Sequence, residues 1–182
     1  RNILNLFKLR IGVAIAFAAA AGIAVEAGVR PSFRDGLILV LAVLVAYGDF
    51  RWANTSRQAG EELTREYGAS RPMFFQGHWG FQYYAELAGA RAFDPEAHVL
   101  NKGIFVVLPT NNYARQDLPA SHVQLMKVHE YPAFPWVHTG AAGSGACFYA
   151  NNIAPLPFAV GAGLPDKYEI WRVEKRFSFD VE

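Results

Sequence analysis

Five histidines are the side chains of this 182-residue chain best suited to metal or acid–base chemistry. They are His78, His98, His122, His129 and His138. Histidine ligands on a helix usually stand four residues apart or are joined by clustered cysteines, and none of these five meets either condition. His122 and His129 lie seven residues apart in a region predicted to be extended, so a regular strand would point them to opposite faces. The sequence therefore predicts no metal site and no cofactor.

A turn from a strand into a helix holds the residues that could contact a ligand. His78 stands where a buried strand is predicted to end and a helix to begin, with Gln76, Trp79 and Gln82 close by in sequence. The free N–H groups of a helix N-terminus can hold an anion. We therefore take His78, Trp79 and Gln82 as a hypothetical contact site for a phosphate or a glycan. The alternative is that His78 and Trp79 only cap and pack the turn.

The motifs of nucleophilic catalysis are incomplete. The stretch Gly140–Gly145 (GAAGSG) lacks the Lys-Ser/Thr ending of a phosphate loop. Ser144 does not have the glycine spacing of a nucleophile elbow, and the single cysteine, Cys147, is expected to be an inert core residue. The sequence thus predicts no catalytic residue. A net charge of +1 without a basic stripe argues against a nucleic-acid partner.

Two apolar runs precede the polar part of the chain, Ile11–Val25 and Gly36–Gly48. A helix needs about 20 apolar residues to cross the hydrocarbon core, and both runs can be extended toward that length by flanking residues. We predict an α/β protein in which a transmembrane helical hairpin (residues 1–48) precedes a small α/β extramembrane domain (residues 49–182). One span plus an interfacial or buried helix, or a soluble helical hairpin, are the alternatives.

Small residues give the first run a face for close helix packing. Gly12, Ala16 and Ala20 recur every four residues, as do Ala18 and Gly22. In lipid this spacing allows two helix backbones to approach closely. The partner helix is either the second apolar run or part of a larger integral membrane protein.

The extramembrane domain is predicted to alternate helices and strands. The predicted helices are Asp49–Tyr67 and His78–Ala90, ended by Gly68 and Gly89. The main predicted strands are Arg71–Gln76, Gly103–Leu108, Val123–Tyr131 and Lys167–Phe179. This order is typical of a small α/β layer.

Several segments resemble a known module. DFRWANTSRQAGEEL, FFQGHWGFQYYAELAGAR, VVLPTNN and ACFYANNIAPLPFAV, in this order, are similar to the C-terminal hydrophilic module of bacterial family 39, dolichyl-phosphate-mannose-mannosyltransferase-like, polytopic membrane proteins. The resemblance covers roughly residues 36–175. It implies a module that follows the last span and lies outside the cytoplasm. Family members carry their catalytic acids in an early loop among many spans, which has no counterpart in this sequence.

Two signals in the sequence bear on which side of the membrane the extramembrane domain lies. Arginines and lysines flanking the hairpin outnumber those in its turn, which by the positive-inside rule favours a cytoplasmic domain. Long domains cross the membrane largely regardless of flanking charge, so we follow the resemblance. The expected location is the bacterial inner membrane, with the domain in the periplasm.

Two functions remain open on the sequence. The first is a non-catalytic accessory or structural subunit that docks on a larger integral membrane complex, photosynthetic or respiratory, and braces its extracytoplasmic face. Its partners would be membrane lipid and that complex. The second is the C-terminal domain of a membrane glycosyltransferase that uses lipid-linked sugars.

Overall fold

The computed structural model describes residues 22, 32–77, 79–96, 98–110, 115–140, 145–146, 156–161 and 163–179. These residues have mixed α/β content, with one long apolar helix near the N-terminus and a small sheet domain, as the sequence predicts. They divide into two compact units. The helix–loop unit comprises the described residues up to Trp52 and those of Phe134–Gly163. The sheet unit comprises the described residues of Ala53–Ala133 and those from Leu164 onward.

Helix α1 is Phe33–Tyr67, 35 residues long, and hydrogen bonds mark both of its ends. At the start, Ser32 and Asp35 form a reciprocal capping box. The Ser32 backbone N–H donates to Asp35 Oδ2 at 2.8 Å, and the Asp35 N–H donates to Ser32 Oγ at 3.3 Å. At the end, the Gly68 N–H donates to the Thr64 carbonyl at 2.8 Å. The helix end predicted from Gly68 is thus confirmed.

The predicted start of this helix at Asp49 is wrong, because α1 continues without a break through Gly48 and Asp49. Glycine at position 48 is explained by close packing and not by the end of a helix. A Cβ at this position would lie 2.5 Å from the Val137 carbonyl oxygen of the same unit. The second apolar run and the helix predicted over Asp49–Tyr67 are therefore one helix, and Gly48 lets the segment that contains Val137 approach its backbone.

Helix α2 is Trp79–Ala88, and it ends in a Schellman motif. The Ala90 N–H donates to the Ala85 carbonyl at 2.9 Å, and the Gly89 N–H donates to the Glu86 carbonyl at 3.0 Å. Gly89 has a φ of +105°, the left-handed conformation that glycine adopts without strain. The sequence-based assignment of Gly89 as the residue that ends this helix is confirmed.

The sheet unit is built on a mixed five-stranded sheet in the order β2-β1-β3-β7-β4. Strands β1, β2 and β3 are mutually parallel, and β7 runs antiparallel to both β3 and β4. The strands are β1 Phe74–Phe75, β2 Arg91–Ala92, β3 Phe105–Pro109, β4 Val123–Tyr131 and β7 Asp166–Val173.

The predicted strand bounds are correct for β4, whereas β3 begins two residues later and ends one residue later than predicted, and β7 begins one residue earlier. The strand predicted over Arg71–Gln76 is only two residues long. The last strand ends at Val173 instead of Phe179, because the N–H groups of Glu174 and Lys175 both donate to the His122 carbonyl and not to a neighbouring strand in register. Phe177 then forms an isolated antiparallel bridge.

Both faces of the sheet are covered. One face packs against α1 and α2 through a core that contains Leu63, Phe81, Val107, Tyr168 and Ile170. The opposite face carries a second core, under the segments that connect the strands, formed by Phe74, Phe93, Leu100, Val106, Leu108, Val123, Val173 and Phe177. Alternate residues of β3 and β7 supply the two cores, as the period of a strand requires.

The helix–loop unit contains a short antiparallel pair besides the first part of α1. Strand β5 is Val137–His138 and strand β6 is Ala159–Val160, with Val137 opposite Val160. A further bond, from the Gly161 N–H to the Trp136 carbonyl at 2.8 Å, extends the pair.

The first arm of the predicted hairpin, Ile11–Val25, lies outside the described residues except for Gly22, which is helical. The hairpin itself therefore stays a prediction. The long apolar helix of the second run is present.

Candidate functional site

The first half of α1 presents an apolar surface that the described chain leaves uncovered. Only 6% of its most apolar 18-residue window is buried. The exposed large apolar side chains along it are Phe33, Leu37, Ile38, Val40, Leu41, Val43 and Tyr47. By length and composition, α1 is the one helix among the described residues that could anchor in a membrane. A helix of a soluble core passes the same test of composition, but it is normally buried.

Charged residues bound this apolar stretch closely. Between Asp35 and Asp49 the sequence has no Asp, Glu, Lys or Arg. At 1.5 Å per residue these two carboxylates stand roughly 21 Å apart along the axis, against about 30 Å of hydrocarbon. A crossing by α1 therefore needs its charged ends to reach the headgroups, local thinning of the bilayer, or both.

Aromatic and polar contacts gather where the apolar stretch ends. The Tyr47 and Phe134 rings meet edge to face, 4.9 Å between centroids, and Phe134 also contacts Trp136 at 5.7 Å. Thr139 Oγ1 donates to Asp49 Oδ1 at 2.8 Å. This bond gives the carboxylate a partner near the end of the apolar surface, where an unpaired charge would be costly.

In the sheet unit, the last turns of α1 and strand β4 bring together titratable side chains. Tyr67 Oη and His129 Nε2 are 3.0 Å apart, and Tyr131 Oη donates to Glu62 Oε2 at 3.3 Å. Burial raises the pKa of Tyr67 to about 12, reinforced by the hydrogen bond and charge of Glu66. Burial, with the Glu62 charge second, also raises the pKa of Tyr131.

His129 in this group has its pKa lowered, first by burial and then by the charge of Lys127, so its neutral form is favoured at pH 7. The two tyrosines keep their protons, and carboxylates lie beside them. A neutral imidazole and neutral phenols can pass or hold protons, but a catalytic role also needs a nucleophile or a bound substrate beside them. The geometry gives these bonds a structural role, which is to join the end of α1 to β4.

A second polar network is closed to solvent. Asp166 and Tyr168 are both buried, and Tyr168 Oη donates to Asp166 Oδ2 at 2.7 Å. Thr55 Oγ1, on α1, donates to the same carboxylate oxygen at 3.2 Å. Burial is the largest effect on Asp166 and raises its pKa, while these hydrogen bonds oppose that rise. The network fixes α1 on β7 within the sheet unit.

The hypothetical ligand site at the strand–helix turn is only partly described. His78 lies outside the described residues, and Trp79 is the first residue of α2. Gln82 Nε2 donates to Glu86 Oε1 at 3.0 Å, one turn along the same helix. Gln76 exchanges two bonds with the backbone of Gln116, at 2.8 and 3.0 Å. The amides of both glutamines thus have partners within the chain.

Of the residues predicted to pack against a partner helix, Gly12, Ala16, Ala18 and Ala20 lie outside the described part of the chain. Gly22 is described as helical and exposed. A Cβ added there would meet nothing within 4 Å. The role of this face in packing stays a prediction.

Within the described ranges, no group of three or more His, Cys, Asp or Glu side chains could hold a metal ion. The hydrogen-bonded groups around Tyr67 and Asp166 were not foreseen from sequence, because their members stand 62 and 111 residues apart in the chain. Comparison with known protein families, curated proteins and solved structures finds no match for this chain.

Proposed function

We propose that this protein is a membrane-anchored, non-catalytic accessory subunit that docks on a larger integral membrane complex. The observation that carries the proposal is the uncovered apolar surface of α1 from Phe33 to Tyr47. The same helix continues to Tyr67 and ends in the sheet unit, where Leu63 is fully buried. One helix thus supplies both a lipid-facing segment and a part of a folded core.

The small-residue face of the first apolar run supports docking. Leucine-rich surfaces face lipid readily, whereas glycine and alanine every four residues favour close contact with another helix. The second run is rich in leucine and valine, and the first is rich in alanine. This difference is what we expect if the second run anchors the protein in lipid and the first run docks on the partner.

The side chains suited to chemistry support a structural role over a catalytic one. Tyr67, His129 and Glu62 are engaged in bonds between α1 and β4, and Asp166 accepts hydrogen bonds inside the sheet unit. The extracytoplasmic face of a photosynthetic or respiratory complex is the proposed place for the sheet unit, in the bacterial periplasm.

Copurification tests the proposal. The tagged full chain is solubilised from its host in mild detergent and separated by native electrophoresis, and comigrating proteins are identified by mass spectrometry. We expect polytopic membrane proteins in the same band. A chain that migrates alone would refute docking. A mature polypeptide much longer than 182 residues, with many further spans, would instead favour the glycosyltransferase alternative.

A matched pair of variants isolates the docking face. Replacing Ala16 and Ala20 by leucine should release the partner, because added side chains keep the helices apart. Replacing Ala42 and Ala46 by leucine makes the same change, also four residues apart, on the exposed surface of α1 and should leave copurification unchanged. Equal retention of the partner by both variants would contradict the assigned face.

The periplasmic side is tested separately. Leu87 is 62% exposed on α2, so a Leu87→Cys variant in a Cys147→Ser background offers a single accessible thiol. We expect a membrane-impermeant maleimide to label it in intact spheroplasts. Labelling only after lysis would place the sheet unit in the cytoplasm.

A further inference from the structure

We propose that residues 134–140 and 156–161 of the helix–loop unit, called here the loop segment, form a second membrane contact that lies in the headgroup layer of the bilayer that α1 enters. The inference rests on the proposed membrane anchoring and adds a surface to it. The contact surface, called here the interfacial patch, consists of Pro135, Trp136, Leu156, Pro157 and Val160. All five are exposed.

The charge pattern is the first argument. Residues 131–165 contain no Asp, Glu, Lys or Arg, whereas 18% of the whole chain is charged. Surfaces that face water normally carry interspersed charges of both signs. An uncharged stretch of this length with exposed apolar side chains is instead suited to a non-aqueous neighbour.

The second argument is the composition of the exposed side chains. Trp136 is 64% exposed and Val160 is 75% exposed. Val160 pairs with Val137 and the Gly161 N–H donates to the Trp136 carbonyl, so Trp136 and Val160 both belong to the short β5–β6 ladder and its extension. Tryptophan favours the membrane–water interface, because its large ring is apolar while its N–H can still reach a polar group.

The third argument is position along α1. The segment touches the helix where its apolar surface ends: Phe134 meets Tyr47, the Val137 carbonyl lies against Gly48, and Thr139 bonds Asp49. If α1 is immersed up to Tyr47, these contacts hold the segment at the boundary of hydrocarbon and headgroups. The patch is thus next to lipid by its attachment, and a bilayer surface is the occupant that its chemistry and its place both favour.

The buried part of the segment explains why it can keep this shape. Val137 and Thr139 are buried in the helix–loop unit, while Trp136, which precedes Val137, is exposed. Cross-strand bonds satisfy backbone groups that lipid could not. Amphipathic helices at the membrane interface bury their apolar face by about 5–10 Å, and we expect a similar depth for the patch.

Depth-dependent fluorescence quenching tests the inference on the full chain in vesicles of phosphatidylcholine and phosphatidylglycerol. An environment-sensitive dye is attached at Val160→Cys, or at Trp136→Cys as a second variant, in a Cys147→Ser background. The dye at Val43→Cys on α1 reports the anchor, and the dye at Leu87→Cys gives the reference for an exposed site outside the patch. Nitroxide lipids labelled near the headgroup or deep in the acyl chain serve as quenchers, with aqueous iodide as the probe of water access.

We expect the dye at position 160 to lose most of its iodide quenching on reconstitution and to be quenched best by the shallow nitroxide. The dye at position 43 should be quenched best by the deep nitroxide. Iodide quenching at positions 160 and 136 equal to that at position 87 would overturn the interfacial patch while leaving the anchor in place. Shielding from iodide without nitroxide quenching would show a protein cover and would also overturn it. Absence of deep quenching at position 43 would refute the membrane anchor itself.

Discussion

A single lysine in the apolar half of α1 tests whether this surface faces lipid. Val43 is partly exposed and has apolar neighbours on both sides. It is six residues from Asp49 and eight from Asp35, which places it roughly 9 Å and 12 Å from these charges along the axis. No other position in the stretch is much farther from both ends, so Val43→Lys puts a charge close to the middle of the proposed span.

The expected cost follows from this depth. A lysine near the centre of a span disfavours insertion by about 3 kcal/mol, which is roughly 100-fold in the equilibrium between inserted and non-inserted helix. The long side chain can extend toward the headgroups and recover part of that cost. A lysine on a helix surface that faces water changes stability by only about 0.5 kcal/mol.

The assay is extraction of membranes with alkaline carbonate, which releases proteins that are not integrated. We expect Val43→Lys to move a large part of the chain into the soluble fraction. Leu87→Lys, the same charge on exposed α2, should stay with the membrane. The reasoning is refuted if the two variants partition alike, or if the wild-type chain is extracted completely.

Three further predictions concern the sheet unit, each measured as the urea midpoint of the full chain in detergent. Leu63→Ala should lower its stability by about 2–5 kcal/mol, because Leu63 is fully buried, whereas Leu37→Ala on the exposed part of the same helix should change it by less than about 0.5 kcal/mol. Burial raises the pKa of Asp166 in the folded protein, so the free energy of unfolding should fall as pH rises above about 3.9, the value for an unfolded aspartate. Asp166→Asn should remove that fall. The same pH profile in the variant and the wild type would contradict the prediction. The pairing of β4 with β7 shifts register between Leu125 and Lys127, so Met126 is an extra residue in β4. Deletion of Met126 should destabilise the unit by more than about 1 kcal/mol, while Met126→Gln, which keeps the strand length, should be nearly neutral. Equal effects would show that the extra residue is not needed.

Local signals in the sequence were enough for the elements that they define by themselves. Strand β4 has the predicted bounds Val123–Tyr131, and Gly68 and Gly89 end the two helices as expected. The helix start predicted at Asp49 was wrong, because the change from apolar to polar residues at this point is not a break in the helix. The glycine at position 48 leaves room for the Val137 carbonyl, and Val137 is 89 positions further along the chain. Sequence proximity carries no information about such a neighbour.

For the candidate site, too, the sequence predicted the features that consecutive residues define, and it missed those that depend on distant residues. The apolar half of α1 could be predicted, because a run without charges is a property of consecutive residues. The pairing of Tyr67 with His129 and of Gln76 with Gln116 could not, because these pairs depend on which strands become neighbours in the sheet. Histidine spacing alone suggested opposite faces for His122 and His129, a result that assumes a regular strand.

Strand β4 is not regular, and its irregularity explains how one strand serves two cores. Val123 pairs with Val173 and Tyr131 pairs with Asp166, but the register shifts between Leu125 and Lys127, so Met126 is an extra residue. Val123 and Tyr131 are eight positions apart and would share a face of a regular strand. With the extra residue, Val123 enters the core that contains Val173, and Tyr131 enters the core against α1. Tyr131 thereby reaches Glu62, so the bond between β4 and α1 depends on a bulge that no period in the sequence reveals.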